Sequence, residues 1–192
     1  MLVSKDDREF LLSVAREAIE RAARGRSAPE VDLEDLSDLL RERGASFVTL
    51  TKRGRLRGCI GSLERRRPLA IDVRENAVAA AMNDPRFPPV QPQETGDLRV
   101  EISVLSEPEP LEFEGGDELL EKLRPGVDGV VLERGWNRAT FLPQVWEKLP
   151  EPRQFLQHLC QKAYLPADAY KEPGVEIYTY QVEKFKEDKG GS

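Results

Sequence analysis

The feature that most restricts the fold is a change of hydrophobic period that occurs twice. From Ser46 the chain reads Phe47-Val48-Thr49-Leu50-Thr51, passes through Lys52-Arg53-Gly54 and resumes from Arg55 to Ser62. β-branched and apolar residues on both sides of a glycine-containing turn are a hairpin signature. Gly129-Val130-Val131-Leu132 leads through Glu133-Arg134-Gly135 into Asn137 to Leu142 in the same way. Placing Gly54 on Gly135 puts Arg57 on Arg138 and Cys59 on Thr140, and Val100-Glu101-Ile102 matches Val175-Glu176-Ile177. Two matches in one order imply an internal duplication, approximately 46–107 and 126–185, of a hairpin, helices and a returning strand. Halves that each leave a half-covered sheet merge most simply into one core. The sequence therefore predicts an α+β fold in which two related halves share one curled sheet, with N-terminal helices.

The helices have their own signals. Ser4 with Asp7 three residues on reads as an N-cap, after which Phe10, Leu11, Val14, Ala18, Ile19 and Ala22 recur at helical spacing until Gly25. A second helix is expected from about Pro29 to Arg43, with Leu33, Leu36, Leu39 and Leu40 on its apolar face and Gly44 as its stop. An alanine-rich helix from Pro68 to about Met82 ends in Asp84-Pro85-Arg86-Phe87-Pro88-Pro89. Leu98 to Leu105 alternates as a half-buried strand, and a last helix spans about Pro152 to Tyr164. Residues 1–187 are expected to form a single domain and 188–192 a flexible tail.

A chain of 192 residues can bury roughly 70% of its unfolded surface and needs no staple. It has no run of the roughly 18 apolar residues that cross a bilayer, nor a basic N-terminal region followed by an apolar core. A cytoplasmic protein without membrane attachment is expected, with Cys59 and Cys160 both reduced. The net charge of −6 argues against sequence-independent nucleic-acid binding. Yet Lys52, Arg53, Arg55, Arg57, Arg65, Arg66 and Arg67 stand against the single acid Glu64. That cationic island suits an anionic small molecule or an acidic partner surface, and is equally what two solvated hairpin tips would look like.

In a regular strand Arg55, Arg57, Cys59 and Gly61 project to one side, and Leu56, Gly58 and Ile60 to the other, where Leu56 and Ile60 suit the core. Cys59 then shares a face with two guanidinium groups, which favours thiolate over thiol. Gly58 and Gly61 flank it, as glycines do where a ligand or another backbone approaches. The plainer alternative is a cysteine that only fills space. Cys160 follows Phe155, Leu156 and Leu159 on an apolar stripe and reads as core. A nucleophilic Cys59 needs a base, for which the one histidine, His158, and the proline-flanked Asp84 are candidates, with Arg86 beside Asp84 to orient an anion. Asp84 can equally be a turn residue bonding its own backbone. One histidine and two distant cysteines make no standard zinc site, and no Walker or dinucleotide glycine pattern occurs, so no metal or cofactor is expected.

Phe47-Val48-Thr49-Leu50 followed by Leu56-Arg57-Gly58-Cys59-Ile60-Gly61 resembles the signature of the AMMECR family. Asp84-Pro85-Arg86-Phe87, Glu101 to Ser106, Thr140 to Trp146, and Phe155-Leu156 with Lys162-Ala163 are similar to further blocks of that family, in order, over about Lys5 to Glu187. Tyr164 departs from it, standing where the family more often has glycine. The resemblance implies an α+β fold of two related halves, and a role as protein A of the AmmeMemoRadiSam system beside a Memo-like protein and a radical-SAM protein. It implies no established reaction, and its signature cysteine falls on Cys59.

Two functions follow. One is a binding or accessory module whose cationic cleft, with Arg57, Gly58, Gly61 and Arg86, receives an anionic small molecule or a partner. The other is an enzyme using Cys59 as nucleophile or redox thiol, with Asp84 or His158 as proton acceptor.

Overall fold

Ser4 caps the first helix as its sequence implies, its hydroxyl accepting the Asp7 N–H at 3.1 Å, and α1 runs from Lys5–Ala23. Leu11, Ala15, Ala18 and Ile19 form its buried face. In this computed structural model, residues 3–188 are described, so 189–192 of the expected tail lie outside the described residues.

The expected helix over 29–43 is not formed. Only Asp38–Arg41 is helical (α2), and Arg43 already begins a strand. Two competitors explain this. The Asp32 carboxylate accepts the Glu34 N–H in a local turn that a helix forbids, and Arg43 and Gly44 pair with Pro68 and Arg67. The leucines still reach the core from irregular backbone, with Leu40 buried and Leu33, Leu36 and Leu39 packed against it.

The chain divides into two compact units, one holding residues up to Leu105 with those from Glu183 onward, the other Ser106–Val182. In the first, β1 (Arg43–Lys52) pairs antiparallel with β2 (Arg55–Gly61), with the two-residue β3 (Arg67–Pro68) and with β4 (Leu98–Leu105), while α3 (Leu69–Met82) lies between β3 and β4 in sequence. The main sheet order is β2-β1-β4-β9, where β9 is Val182–Lys186. Val48, Leu50, Val100 and Ile102 form its buried face against α1 and α3.

The second unit adds β5 (Glu109–Pro110), α4 (Gly116–Lys122), β6 (Gly129–Arg134), β7 (Asn137–Phe141), α5 (Pro152–Lys162) and β8 (Glu176–Tyr180). Its sheet order is β5-β8-β6-β7. Trp146 stacks on Phe155 at 3.7 Å in a cluster with Leu156, Leu159 and Cys160. The α+β class and the two related halves hold, because in each unit the returning strand (β4 or β8) pairs with the first strand of a hairpin. The single curled sheet is corrected: among the described residues the strands form two antiparallel sheets, and the buried side chains form two clusters.

The ladders also refine the internal match. From the first turn the rungs are Lys52↔Arg55, Thr51↔Leu56, Leu50↔Gly58 and Thr49↔Cys59; from the second they are Arg134↔Asn137, Glu133↔Arg138, Leu132↔Ala139 and Val131↔Thr140. Cys59 and Thr140 thus hold equivalent rungs. Arg57 and Arg138 do not, because Arg57 is the extra residue of a β-bulge. Val100 opposes Leu50 as Ile177 opposes Leu132, so the true match of the returning strands lies two residues from the sequence match. A slip of two keeps every side chain on its face, which is why the pattern was still readable.

Candidate functional site around Cys59

The bulge decides which residues surround Cys59. Strict alternation would place Arg57 with Cys59 and Leu56 in the core. With one extra residue at Arg57, Gly58 and Ile60 keep the core side expected of them while Leu56, at 43% exposure, joins the Cys59 face. The expectation that Leu56 is a core residue is corrected accordingly. Cys59 itself is half-buried beside Thr49, whose hydroxyl donates to its sulfur at 3.2 Å.

The two motif glycines have packing reasons. A Cβ on Gly58 would lie 2.1 Å from the Ala80 carbonyl oxygen, so α3 rests directly on this strand. A Cβ on Gly61 would lie 2.3 Å from the Phe47 ring, the side chain on the opposite strand. At both positions protein fills the place a side chain would take.

Arg57 turns to Glu94, with Nε to Oε1 at 2.8 Å, and Lys52 reaches the same carboxylate at 3.5 Å. These cations, Arg57 first, hold the Glu94 carboxyl below its ordinary value against the opposing effect of burial, with help from the Gln91 N–H. The Arg57 Nη1 is buried without a hydrogen-bond partner among the described residues. Phe87 lies within cation–π range of two guanidinium groups, 5.9 Å from Arg57 and 5.6 Å from Arg86. Elsewhere in the island Arg53 pairs with Asp97, Arg66 with Glu64 and Arg67 with Asp72. Arg55 and Arg65 are left without a carboxylate among the described residues. The local charge count missed this because Asp72, Glu94 and Asp97 come from other segments.

Asp84 and Arg86 both hydrogen-bond the backbone of Cys59. The Cys59 N–H donates to Asp84 Oδ2 at 2.8 Å, and the Cys59 carbonyl accepts from Arg86 Nη2 at 3.2 Å. Arg86 also donates to both Asp84 oxygens, from Nη2 at 2.7 Å and from Nε at 3.0 Å, while its own N–H closes the turn on Oδ1 at 3.0 Å. In an antiparallel ladder alternate residues point their N–H and C=O away from the partner, and β2 is the outermost strand. Asp84 and Arg86 therefore satisfy the groups that a further strand would have paired. The turn reading of Asp84 is met, and the same carboxylate reaches the Cys59 backbone.

Arg86, first, and then the backbone N–H groups of Cys59 and Arg86, hold the Asp84 carboxyl well below the usual carboxylate range, burial opposing them. A carboxyl lowered in the folded state stabilises above its unfolded value, about 3.9, and that contribution is lost as pH falls towards the folded value. The difference in unfolding free energy between the native chain and Asp84→Asn, from urea titrations at a series of pH values, is expected to be largest at neutral pH. It should shrink steadily below about pH 4. A difference constant down to pH 2 would show that the Asp84 charge contributes nothing.

His158 lies in the second unit on the exposed side of α5, its Nδ1 2.8 Å from the Gln154 carbonyl oxygen. Cys160 is fully buried as expected, and burial pushes its thiol up. The residues that sequence reasoning missed are Thr49, Phe47 and Glu94. For Glu94 a signal existed: Gln91-Pro92 with glutamate three places on is a capping-box pattern, and Gln91 and Glu94 do cap the 3-10 turn Pro92–Asp97.

Among the described residues no helix is long and apolar enough to cross a membrane, and no three His, Cys, Asp or Glu side chains gather as metal ligands. Comparison with known proteins agrees with the motif blocks. The AMMECR1 family model matches residues 12–185. A protein of Methanothermobacter thermautotrophicus is 44% identical, over 97% of each chain. Protein MK0488 of Methanopyrus kandleri is 37% identical, covering 95% of this chain and 89% of its own. Among solved structures, that of the uncharacterized protein PH0010 from Pyrococcus horikoshii superposes with a TM-score of 0.73 at 35% identity, covering 94% of this chain and 91% of that one. With its signature segment, fold and full-length relatives in agreement, the chain belongs to the AMMECR1 family.

Proposed function

We propose that this chain is a binding or accessory component, and that the Cys59 face of its first unit receives a partner polypeptide. The observation that supports this most is the commitment of Asp84. The carboxylate nearest Cys59 in the motif blocks is bonded to Arg86 and to a backbone N–H, so it is poorly suited to take a proton from a thiol. Arg57 and Arg86 are likewise matched by carboxylates, which favours a polypeptide surface over a small anion. Exposed Leu56 offers such a surface an apolar anchor beside half-buried Cys59 and Thr49. In the AMMECR setting, the partners proposed are a Memo-like protein and a radical-SAM protein, within an AmmeMemoRadiSam system.

Sedimentation of the full chain with each of these two proteins from the same source tests the reading. Association with at least one is expected, weakened about tenfold or more by Leu56→Asp and changed less than about twofold by Cys59→Ser. No association at tens of micromolar, or a loss caused by Cys59→Ser and not by Leu56→Asp, overturns it.

A further inference from the structure

A second concavity lies wholly within the second unit and is used by nothing described above. β5 pairs with β8 over only two residues, and after the Leu111 N–H donates to the Ile177 carbonyl at 2.8 Å the chain departs towards Gly115. On the other side the turn at Ala169–Lys171 leads through Gly174 back into β8. Gly115 at φ +95 and Gly174 at φ +85 both occupy the left-handed region, so the two bends are of a kind that glycine makes without strain. Between these segments is a cavity of about 450 Å³, within the range that holds a small molecule or a long side chain.

Its walls combine aromatic rings, from Phe113, Tyr170 and Tyr178, with the aliphatic side chains of Leu111 and Val175. The charges in the wall are three glutamates against one lysine. That lysine, Lys171, is held by Asp168 at 3.2 Å, and its ammonium lies 5.5 Å from the Tyr170 ring centroid, so a cation already rests on this aromatic wall. Glu172 is matched by Arg134 at 2.6 Å. The carboxylates of Glu112 and Glu176 form no ion pair among the described residues, although Lys122 donates to the Glu112 backbone carbonyl at 2.7 Å. Beside Glu176 the field is electronegative: Glu176 first, then burial and Glu133, pushes the Tyr178 phenol up, with Arg138 opposing. Tyr170 is fully buried and its hydroxyl has no hydrogen-bond partner among the described residues, which leaves this wall residue an unused acceptor.

We propose that this cavity binds an organic cation, an ammonium group carried on an aliphatic stem, with the stem along Leu111 and Val175 and the head towards Glu112 and Glu176. A neutral or anionic ligand would leave the two carboxylates unmatched. The same chemistry is offered by a free amine and by a lysine side chain of a partner.

The full chain is titrated with n-pentylammonium chloride and with its anionic isostere pentanoate at low ionic strength, followed through backbone amide resonances. Saturable shifts confined to residues 110–115 and 170–178 are expected with pentylammonium, with binding of pentanoate weaker by about tenfold or more. The doubly substituted chain, Glu112→Gln with Glu176→Gln, alters two exposed side chains and should fold normally while binding pentylammonium about tenfold less tightly. A capped glycyl-lysyl-glycine peptide that binds more tightly than pentylammonium assigns the cation to a partner's lysine, and weaker binding assigns it to a free amine. Equal binding of pentanoate, unchanged affinity in the doubly substituted chain, shifts centred elsewhere, or no saturable shift overturns the proposal.

Discussion

Gly58→Ala is expected to destabilise the chain by about 3 kcal/mol, measured as the loss of unfolding free energy in urea, with a matching fall in the midpoint. The added methyl would stand 2.1 Å from the Ala80 carbonyl oxygen, well inside any van der Waals contact, and the obstacle is helix backbone that cannot rotate away. Relief requires α3 to lift from β2, yet α3 is the helix that covers the buried face formed by Val48, Leu50, Val100 and Ile102. The cost is therefore an overpacking cost spread over much of the first unit's core. Folded Gly58→Ala with stability within about 0.5 kcal/mol of the native chain would show that helix and strand are not locked at this point. The result bears on function because Gly58 sits at the centre of the signature segment. A motif glycine explained by helix packing gives no reason to look for a ligand at its α-carbon.

The second large effect concerns the thiols. In the native chain, Cys59 is expected to react with iodoacetamide about a thousandfold or more faster than Cys160, resolved by peptide mass spectrometry over time. Cys160 is fully buried among Phe155, Leu156 and Leu159, and burial pushes its thiol up, so it reacts only when α5 opens. Cys59 is half-buried on a strand at the edge of its sheet, so no such opening is needed. Comparable rates for the two would mean that the cluster around α5 opens readily. Equal slowness of both until urea is added would mean that the Cys59 face is closed to small molecules, and would remove it as a docking face.

Much of the fold was legible because local signals and tertiary demand agreed. Ser4 caps α1, Leu98–Leu105 alternates as a strand with one face in the core, and the hairpins turn at the glycines that marked them. The segment 29–43 misled because leucine spacing reports which side chains are buried, not the backbone that buries them. There the Asp32 turn and the pairing of Arg43 and Gly44 prevailed over helical spacing. The candidate site was legible only in part, since Thr49, Phe47 and Glu94 were not singled out and His158 lies in the second unit. A bulge at Arg57 leaves no mark in composition, and it moved Leu56 from the core face expected of it to the Cys59 face. Asp84 and Arg86 were rightly grouped with Cys59, but sequence proximity to a thiol carries no information on whether a carboxylate meets the sulfur or the peptide group.

The edge clamp has a bearing on solubility. β2 ends its sheet, and an outermost strand with free backbone groups is a template on which another chain can add by strand pairing. Asp84 and Arg86, themselves an ion pair, occupy that template at Cys59. Loss of the clamp by substitution therefore uncovers an adhesive edge above a core whose own packing is unchanged. The defect would be seen as aggregation before it was seen as unfolding. Two charged residues in a proline-flanked turn thus help keep the chain from joining copies of itself.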